Sequence, residues 1–144
     1  MARIVLDSSV LIKWIKERNE ELIAEARSLL RGVERLDLEV NVPALALYEI
    51  GNILLLKSRL PPSSLDEALD HLEALPLVVA PPAAPLLRRA ARLGRDLGLT
   101  FYDASFLALA LELGCPFISA DTRLFERAKG FPQARHLSRV GTLA

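Results

Sequence analysis

The sequence predicts an α/β fold, a three-layer α/β/α sandwich with a central, mainly parallel sheet, and three observations lead there. Short apolar runs recur at Ile4-Val5-Leu6, Leu38 to Val42, Leu77-Val78-Val79 and Phe117-Ile118-Ser119. Stretches with helical periodicity stand between successive runs. Strands that are apolar on both faces need cover on both faces, and alternating strands and helices supply it.

The elements follow in chain order. Ile4-Val5-Leu6 is the first strand, and a helix runs from Ser8 or Ser9 through Ile15. A second helix covers about Glu20 to Leu30 and ends near Gly32, after which Leu38 to Val42 returns as a strand. Pro43 suits the first turn of a long helix reaching about Lys57, because its missing N–H is not needed there. Ser64-Leu65-Asp66-Glu67 has the form of a capping box and starts a helix that stops before Pro76. Leu77-Val78-Val79 is the next strand, followed by helices from about Pro85 to Leu97 and from Phe101 to Leu113. Phe117-Ile118-Ser119 forms another strand, Arg123 to Lys129 a short helix, and His136 to Val140 an added edge strand.

At 144 residues the chain is expected to be one domain, residues 1–144, large enough to bury roughly 70% of the surface that it exposes when unfolded. It is 51% hydrophobic and 25% charged, an ordinary globular composition. No apolar stretch reaches the ~18 residues that cross a membrane, and no basic segment followed by a long apolar one stands at the start. These features place the protein in the cytoplasm with no membrane partner. Cys115 is the single cysteine, so neither an internal disulfide nor a thiolate metal cage is available, and it reads as a small core residue.

Asp7, Glu49, Asp103 and Asp121 each interrupt or close an apolar segment, far apart in sequence. A carboxylate in such a setting is costly without a cation. A hard ion such as Mg²⁺ or Mn²⁺, which prefers carboxylate and water oxygen, is the simplest shared partner. In open parallel sheets ligands gather beyond the carboxyl ends of the strands, where Asp7 and Asp121 are expected. Each acid also has a local explanation. Asp7 and Asp121 suit helix N-caps, and Asp103 stands three residues after Thr100 in a first helical turn. Glu49 has no such role, since Lys57 is the nearest lysine along its helix and lies two turns away.

Four blocks contain these acids: Asp7-Ser8-Ser9-Val10-Leu11-Ile12-Lys13-Trp14, Tyr48-Glu49-Ile50-Gly51-Asn52, Tyr102-Asp103-Ala104-Ser105-Phe106-Leu107-Ala108-Leu109-Ala110 and Ile118-Ser119-Ala120-Asp121. In this order they resemble the signature blocks of PIN-domain ribonucleases, specifically the short VapC toxin type. The resemblance implies a PIN-like fold and a Mg²⁺- or Mn²⁺-dependent endoribonuclease that acts on RNA. It also implies a homodimer and inhibition by a VapB-like antitoxin. Asp7, Glu49, Asp103 and Asp121 match the acidic quartet of that family, Ser9 matches its small polar position, and Ser119 stands where the family often has Thr or Ser.

Phosphodiester hydrolysis asks for such residues on independent grounds, because a divalent ion both lowers the pKa of the attacking water and neutralises transition-state charge. Asp7, Asp103 and Asp121 are expected to ligate the ion directly or through water, and Glu49 either to ligate it or to orient the attacking water. Ser9 and Ser119 would brace a carboxylate or touch phosphate. The net charge of zero carries no overall nucleic-acid signature. Local patches do: Arg123, Arg127, Lys129, Arg135 and Arg139 face only Glu126, and Arg88, Arg92 and Arg95 repeat at helical spacing. Arg123, next but one to Asp121, is the candidate phosphate contact, whereas Arg88, Arg92 and Arg95 equally suit a solvated helix face. Trp14 and Tyr48 read as core or dimer-contact aromatics, and His71 and His136 as surface residues. Two other classes stay open, another metal-dependent phosphoryl-transfer enzyme and a noncatalytic module that binds a regulator. Asp7-Ser8-Ser9 lacks the second acid of an Asp-x-Asp phosphatase motif.

Overall fold

The computed structural model describes residues 1–142, so the last two residues of the expected 1–144 domain lie outside the described residues. Strands β1 (Ala2–Leu6), β2 (Leu38–Pro43), β3 (Leu77–Ala80), β4 (Phe117–Ser119) and β5 (Ala134–His136) form a sheet ordered β3-β2-β1-β4-β5. Every pairing in it is parallel. Helices α1 (Ser8–Ile15), α2 (Ile23–Glu34), α3 (Leu45–Asn52), α4 (Pro62–Ala74), α5 (Ala84–Leu97), α6 (Phe101–Leu113) and α7 (Thr122–Ala128) flank it. The α/β fold with a parallel central sheet is the one expected.

Helix α6 is the hub of the core. It is apolar all round, every residue from Ala104 to Ala110 is buried, and it packs across β1, β2 and β4 with α5 against it. Phe106 and Phe117 are among the largest fully buried side chains, each worth about 1.5–3 kcal/mol of burial. Helix α1 is tied to α2 by the Trp14 indole, whose Nε1 donates to the Ala26 carbonyl at 2.8 Å. This explains how an aromatic with a polar edge is buried there.

Several boundaries differ from the expected ones, each for a physical reason. Pro43 closes β2 rather than opening a helix, since a residue without an N–H is tolerated at the end of a ladder; Ala44 then donates to Ala80 O at 3.1 Å. Helix α2 starts at Ile23 because Leu22 is left-handed, with φ 55°, and so cannot extend the helix backwards. Gly32 lies inside α2 because the Leu38 side chain occupies the space above it; a Cβ there would meet Leu38 Cδ1 at 2.7 Å. Pro62, at a first helical position, starts α4, so Ser64 lies inside the helix and no side chain caps it. The segment after α3 is not α-helical: Ile53–Lys57 is a π-helical turn. The expected edge strand His136–Val140 is instead β5 followed by a 3₁₀ segment, Leu137–Thr142.

What positions the site is the order of the strands. From β1 the chain steps outward through β2 to β3, then returns to place β4 on the other side of β1. The direction of winding reverses between β1 and β4, and open α/β sheets form their ligand crevice at that switch point, beyond the carboxyl ends. Asp7 follows β1 immediately, and Asp121 stands two residues beyond β4.

Candidate active site

Asp7 is buried, 4% exposed, at the N-cap position of α1, but its carboxylate caps nothing. Its two oxygens accept instead from serine hydroxyls, Oδ1 from Ser9 Oγ and Oδ2 from Ser119 Oγ, both at 2.5 Å. Each hydroxyl spends its single proton on Asp7 and accepts a backbone N–H with its lone pairs. Ser9 Oγ accepts from Ala120 N at 2.9 Å and Ser119 Oγ from Asp121 N at 3.0 Å. The carboxylate is thus fixed between the start of α1 and the turn after β4. Burial outweighs these two hydrogen bonds, and with further help from the charges of Asp103 and Asp121 it raises the Asp7 pKa from 3.8 to about 7.

The other three acids come to the same cleft, of about 350 Å³, lined also by Ser8, Ser9, Lys13 and Lys57. Glu49, on the second turn of α3, accepts from Ser8 Oγ at 2.9 Å. Its pKa is raised by burial; Ser8 and Lys57 pull it back and Asp103 pushes it up. Asp103 stands in the first turn of α6, where Thr100, not Asp103, supplies the cap by accepting from Asp103 N at 3.1 Å. Its carboxyl is likewise raised, by burial and then by Asp121, with Thr100 and Arg123 opposing. Asp121 does cap, accepting from Leu124 N at 3.1 Å through one oxygen, Oδ1. Capping therefore accounts for part of Asp121 and none of the Asp7 side chain.

The structure brings all the sequence-derived site residues together, Arg123 at the margin. That side chain lines a small adjoining cleft with Asp103 and Asp121, and it makes no hydrogen bond or ion pair with the described residues. Other members of its patch are engaged. Arg127 donates to the carbonyls of Leu97 and Gly98 at 3.3 and 2.9 Å, Lys129 pairs with Glu126, and Arg135 donates to the carbonyls of Pro132 and Ala134. Arg88, Arg92 and Arg95 lie exposed on α5. Tyr48 is 81% exposed and so is no core residue, whereas Trp14 is. His71 is exposed, and His136 is half-buried between the hydroxyls of Thr122 and Ser138.

Sequence reasoning missed Ser8, Lys13, Glu20 and Lys57, which also line the cleft. Lys13 stands one helical turn after Ser9 on α1, and Lys57 is the nearest lysine beyond Glu49, but neither spacing distinguishes a cleft from solvent.

The donors are hard carboxylate and hydroxyl oxygens, and no cation is set against Asp7, so the set suits Mg²⁺ or Mn²⁺. Among the described residues no three acidic, histidine or cysteine side chains converge tightly enough to hold an ion by themselves. Mg²⁺ usually keeps several waters and needs only one or two carboxylates of its own.

The model of the PIN domain family matches residues 4–130. No curated relative matches the chain. Among solved structures the chain is similar to PAE2754 from Pyrobaculum aerophilum, with 24% identity over 97% of this chain and 96% of that one and a TM-score of 0.67. It is also similar to VapC20 of Mycobacterium tuberculosis, described as a sarcin-ricin loop cleaving toxin, at 20% identity over 92% and 98% of the two chains, TM-score 0.65. A DNA-bound VapBC structure from Salmonella typhimurium gives 17% identity over 95% and 99%, TM-score 0.67. At these identities the likeness is one of fold.

Proposed function

Because the chain belongs to the PIN-domain family, we propose that it is a metal-dependent endoribonuclease, the toxin of a VapBC-type pair. The observation that carries this reading is the meeting of four carboxylates at the switch point of the sheet, with Asp7 buried and no cation against it among the described residues. Mg²⁺ or Mn²⁺, when bound, supplies neutralisation of phosphate charge and a water of lowered pKa.

The residues divide the remaining work. Asp7, locked by Ser9 and Ser119, would hold the ion together with Asp103 and Asp121, directly or through water. Glu49, oriented by Ser8, is the group that positions the attacking water and accepts its proton; burial raises its carboxyl above the ordinary value, which makes it the better base. Arg123 stands where its free guanidinium can meet a phosphate oxygen. Its guanidinium and the acids lie on a concave, water-accessible surface, which suits an extended single strand.

Two partners belong to the same reading. Solved relatives include VapBC and FitAB complexes, and a VapB-like antitoxin would inhibit this chain by laying a basic side chain, best an arginine, against the carboxylates. A second copy would cover the exposed apolar residues Tyr48, Leu55, Leu56, Phe101 and Tyr102.

The test is cleavage by purified chain of RNA, single- and double-stranded DNA and a phosphomonoester, with Mg²⁺, with Mn²⁺ and with excess chelator. The expected result is metal-dependent cleavage of RNA that Asp7→Asn and Asp103→Asn each reduce by at least about a hundredfold, a loss of ~2.7 kcal/mol in transition-state stabilisation. Equal rates in chelator would sink the metal mechanism, wild-type rates in both variants the residue assignment, and preference for DNA or the monoester the substrate.

A further inference from the structure

The cleft has a second bank, opposite in sign to the first. Lys13 is a lysine only 7% exposed, and its Nζ lies 2.9 Å from Glu20 Oε1. Burying an ammonium group demands a partner, but Glu20 does not cancel the charge, because its other oxygen is 3.9 Å from Lys16 Nζ. On the cleft itself two lysines, Lys13 and Lys57, stand with one glutamate, Glu20, which Lys16 shares from outside it, so this bank is net positive.

Backbone effort goes into both lysines. Glu20 is carried by the α1–α2 loop, in which Asn19 and Leu22 take left-handed φ angles of 61° and 55°. For leucine that conformation is unfavourable, so the loop holds Glu20 beside Lys13 against local preference. Lys57 is placed by the π-turn Ile53–Lys57. In a regular α-helix, eight residues beyond Glu49 lie about 80° away around the axis. A π-turn rotates less per residue and so brings Lys57 back towards the Glu49 face, where its charge acts on that carboxyl. Lys57 makes no hydrogen bond or ion pair with the described residues.

We propose that Lys13 and Lys57 form a phosphate-binding subsite that holds the RNA backbone next to the cleaved bond, in the cleft that the Arg123 cleft adjoins at Asp103 and Asp121. The proposal rests on the nuclease reading above and adds a second phosphate contact to it. It makes the two lysines positioning residues: they grip a phosphate that does not react.

The experiment measures kcat and KM for a short single-stranded RNA at saturating Mg²⁺ and several KCl concentrations, for wild type, Lys57→Met, Lys57→Arg, Lys13→Met and the double variant Lys13→Met/Glu20→Gln. Where chemistry is slow, KM reports binding. Lys57→Met and the double variant should each raise KM roughly tenfold with kcat changed less than about threefold. Each should also lower the dependence of log KM on log salt by about 0.7, the value of one lost single-strand phosphate contact. Lys57→Arg should restore the salt slope. Exposed Lys57 can be changed without touching the core, so misfolding of a Lys13 variant cannot decide the result. Wild-type cleavage with unchanged KM and salt slope in Lys57→Met and the double variant overturns this proposal alone, as does a Lys13 pair that alters only thermal stability. A wild-type chain that cleaves no RNA overturns the nuclease reading and this one with it.

Discussion

A buried carboxyl group that meets hydroxyl donors and the charges of other acids, but no cation, keeps its proton far longer than one in water, and Asp7 shows what this does to the whole chain. Folded, it holds the proton up to about pH 7; unfolded, it releases it at about the ordinary value of 3.8. Between these limits the folded state binds a proton that the unfolded state has lost. Stability without metal is therefore full below about pH 4 and is lost as the pH rises to about 7, by an amount on the order of 4 kcal/mol. Glu49 and Asp103, raised mainly by burial too, add a smaller slope of the same sign. Asp7→Asn keeps the shape and removes the titration. In chelator at pH 8 it should melt above wild type, the gap closing as the pH falls to about 4; a variant less stable at both pH values would mean that the Asp7 carboxylate is structural. The four acids were legible in the sequence because each is a charge where the pattern asks for an apolar residue. Ser8, Lys13, Glu20 and Lys57 were not, because a serine or a charged residue on an amphipathic helix or in a loop looks the same whether it faces a cleft or solvent.

Elements announced themselves to the degree that local chemistry alone decided them. Helix α6 is legible in the sequence with its observed limits because Thr100 caps one end and Gly114, at φ 62°, closes the other. The π-turn after α3 left no trace, since a change from i→i+4 to i→i+5 hydrogen bonding needs no special side chain. At α4 two signals competed, and proline at the first helical position prevailed over a serine cap two residues later. The junction between α5 and α6 carries the clearest prediction at this scale. Gly98 ends α5 with φ 67°, and the Arg127 guanidinium fills the space where a Cβ would stand while donating to the carbonyls of Leu97 and Gly98. Gly98→Ala should cost at least about 1–2 kcal/mol in chemical denaturation, from the left-handed backbone alone. Arg127→Ala should destabilise as well, by freeing those carbonyls, yet leave KM for RNA near wild type. A variant at Gly98 as stable as wild type would refute this account of the junction.

The sheet class and the place of the site followed from the alternation of apolar runs and helices, but the strand order did not. No residue in β4 says that it will lie beside β1 rather than beyond β3; that depends on which helices cover which face. The exposed apolar side chains of α3, the π-turn and α6 likewise acquire meaning only in the folded molecule, where the proposed second copy would cover them. Light scattering at tens of micromolar should then give twice the 15.9 kDa chain mass, and a monomer at that concentration, a range that moderate affinity saturates, would reject the dimer. Strand order also sets a timetable. Ser9, one anchor of Asp7, is made almost at once, but the other, Ser119, lies 112 residues later. On the ribosome the inner edge of β1 stays open, and the Asp7 carboxylate half-held, until β4 and the turn bearing Asp121 have emerged. A nascent chain therefore carries no assembled centre for most of its synthesis, and on the proposed activity it cannot cut RNA until that turn has been made.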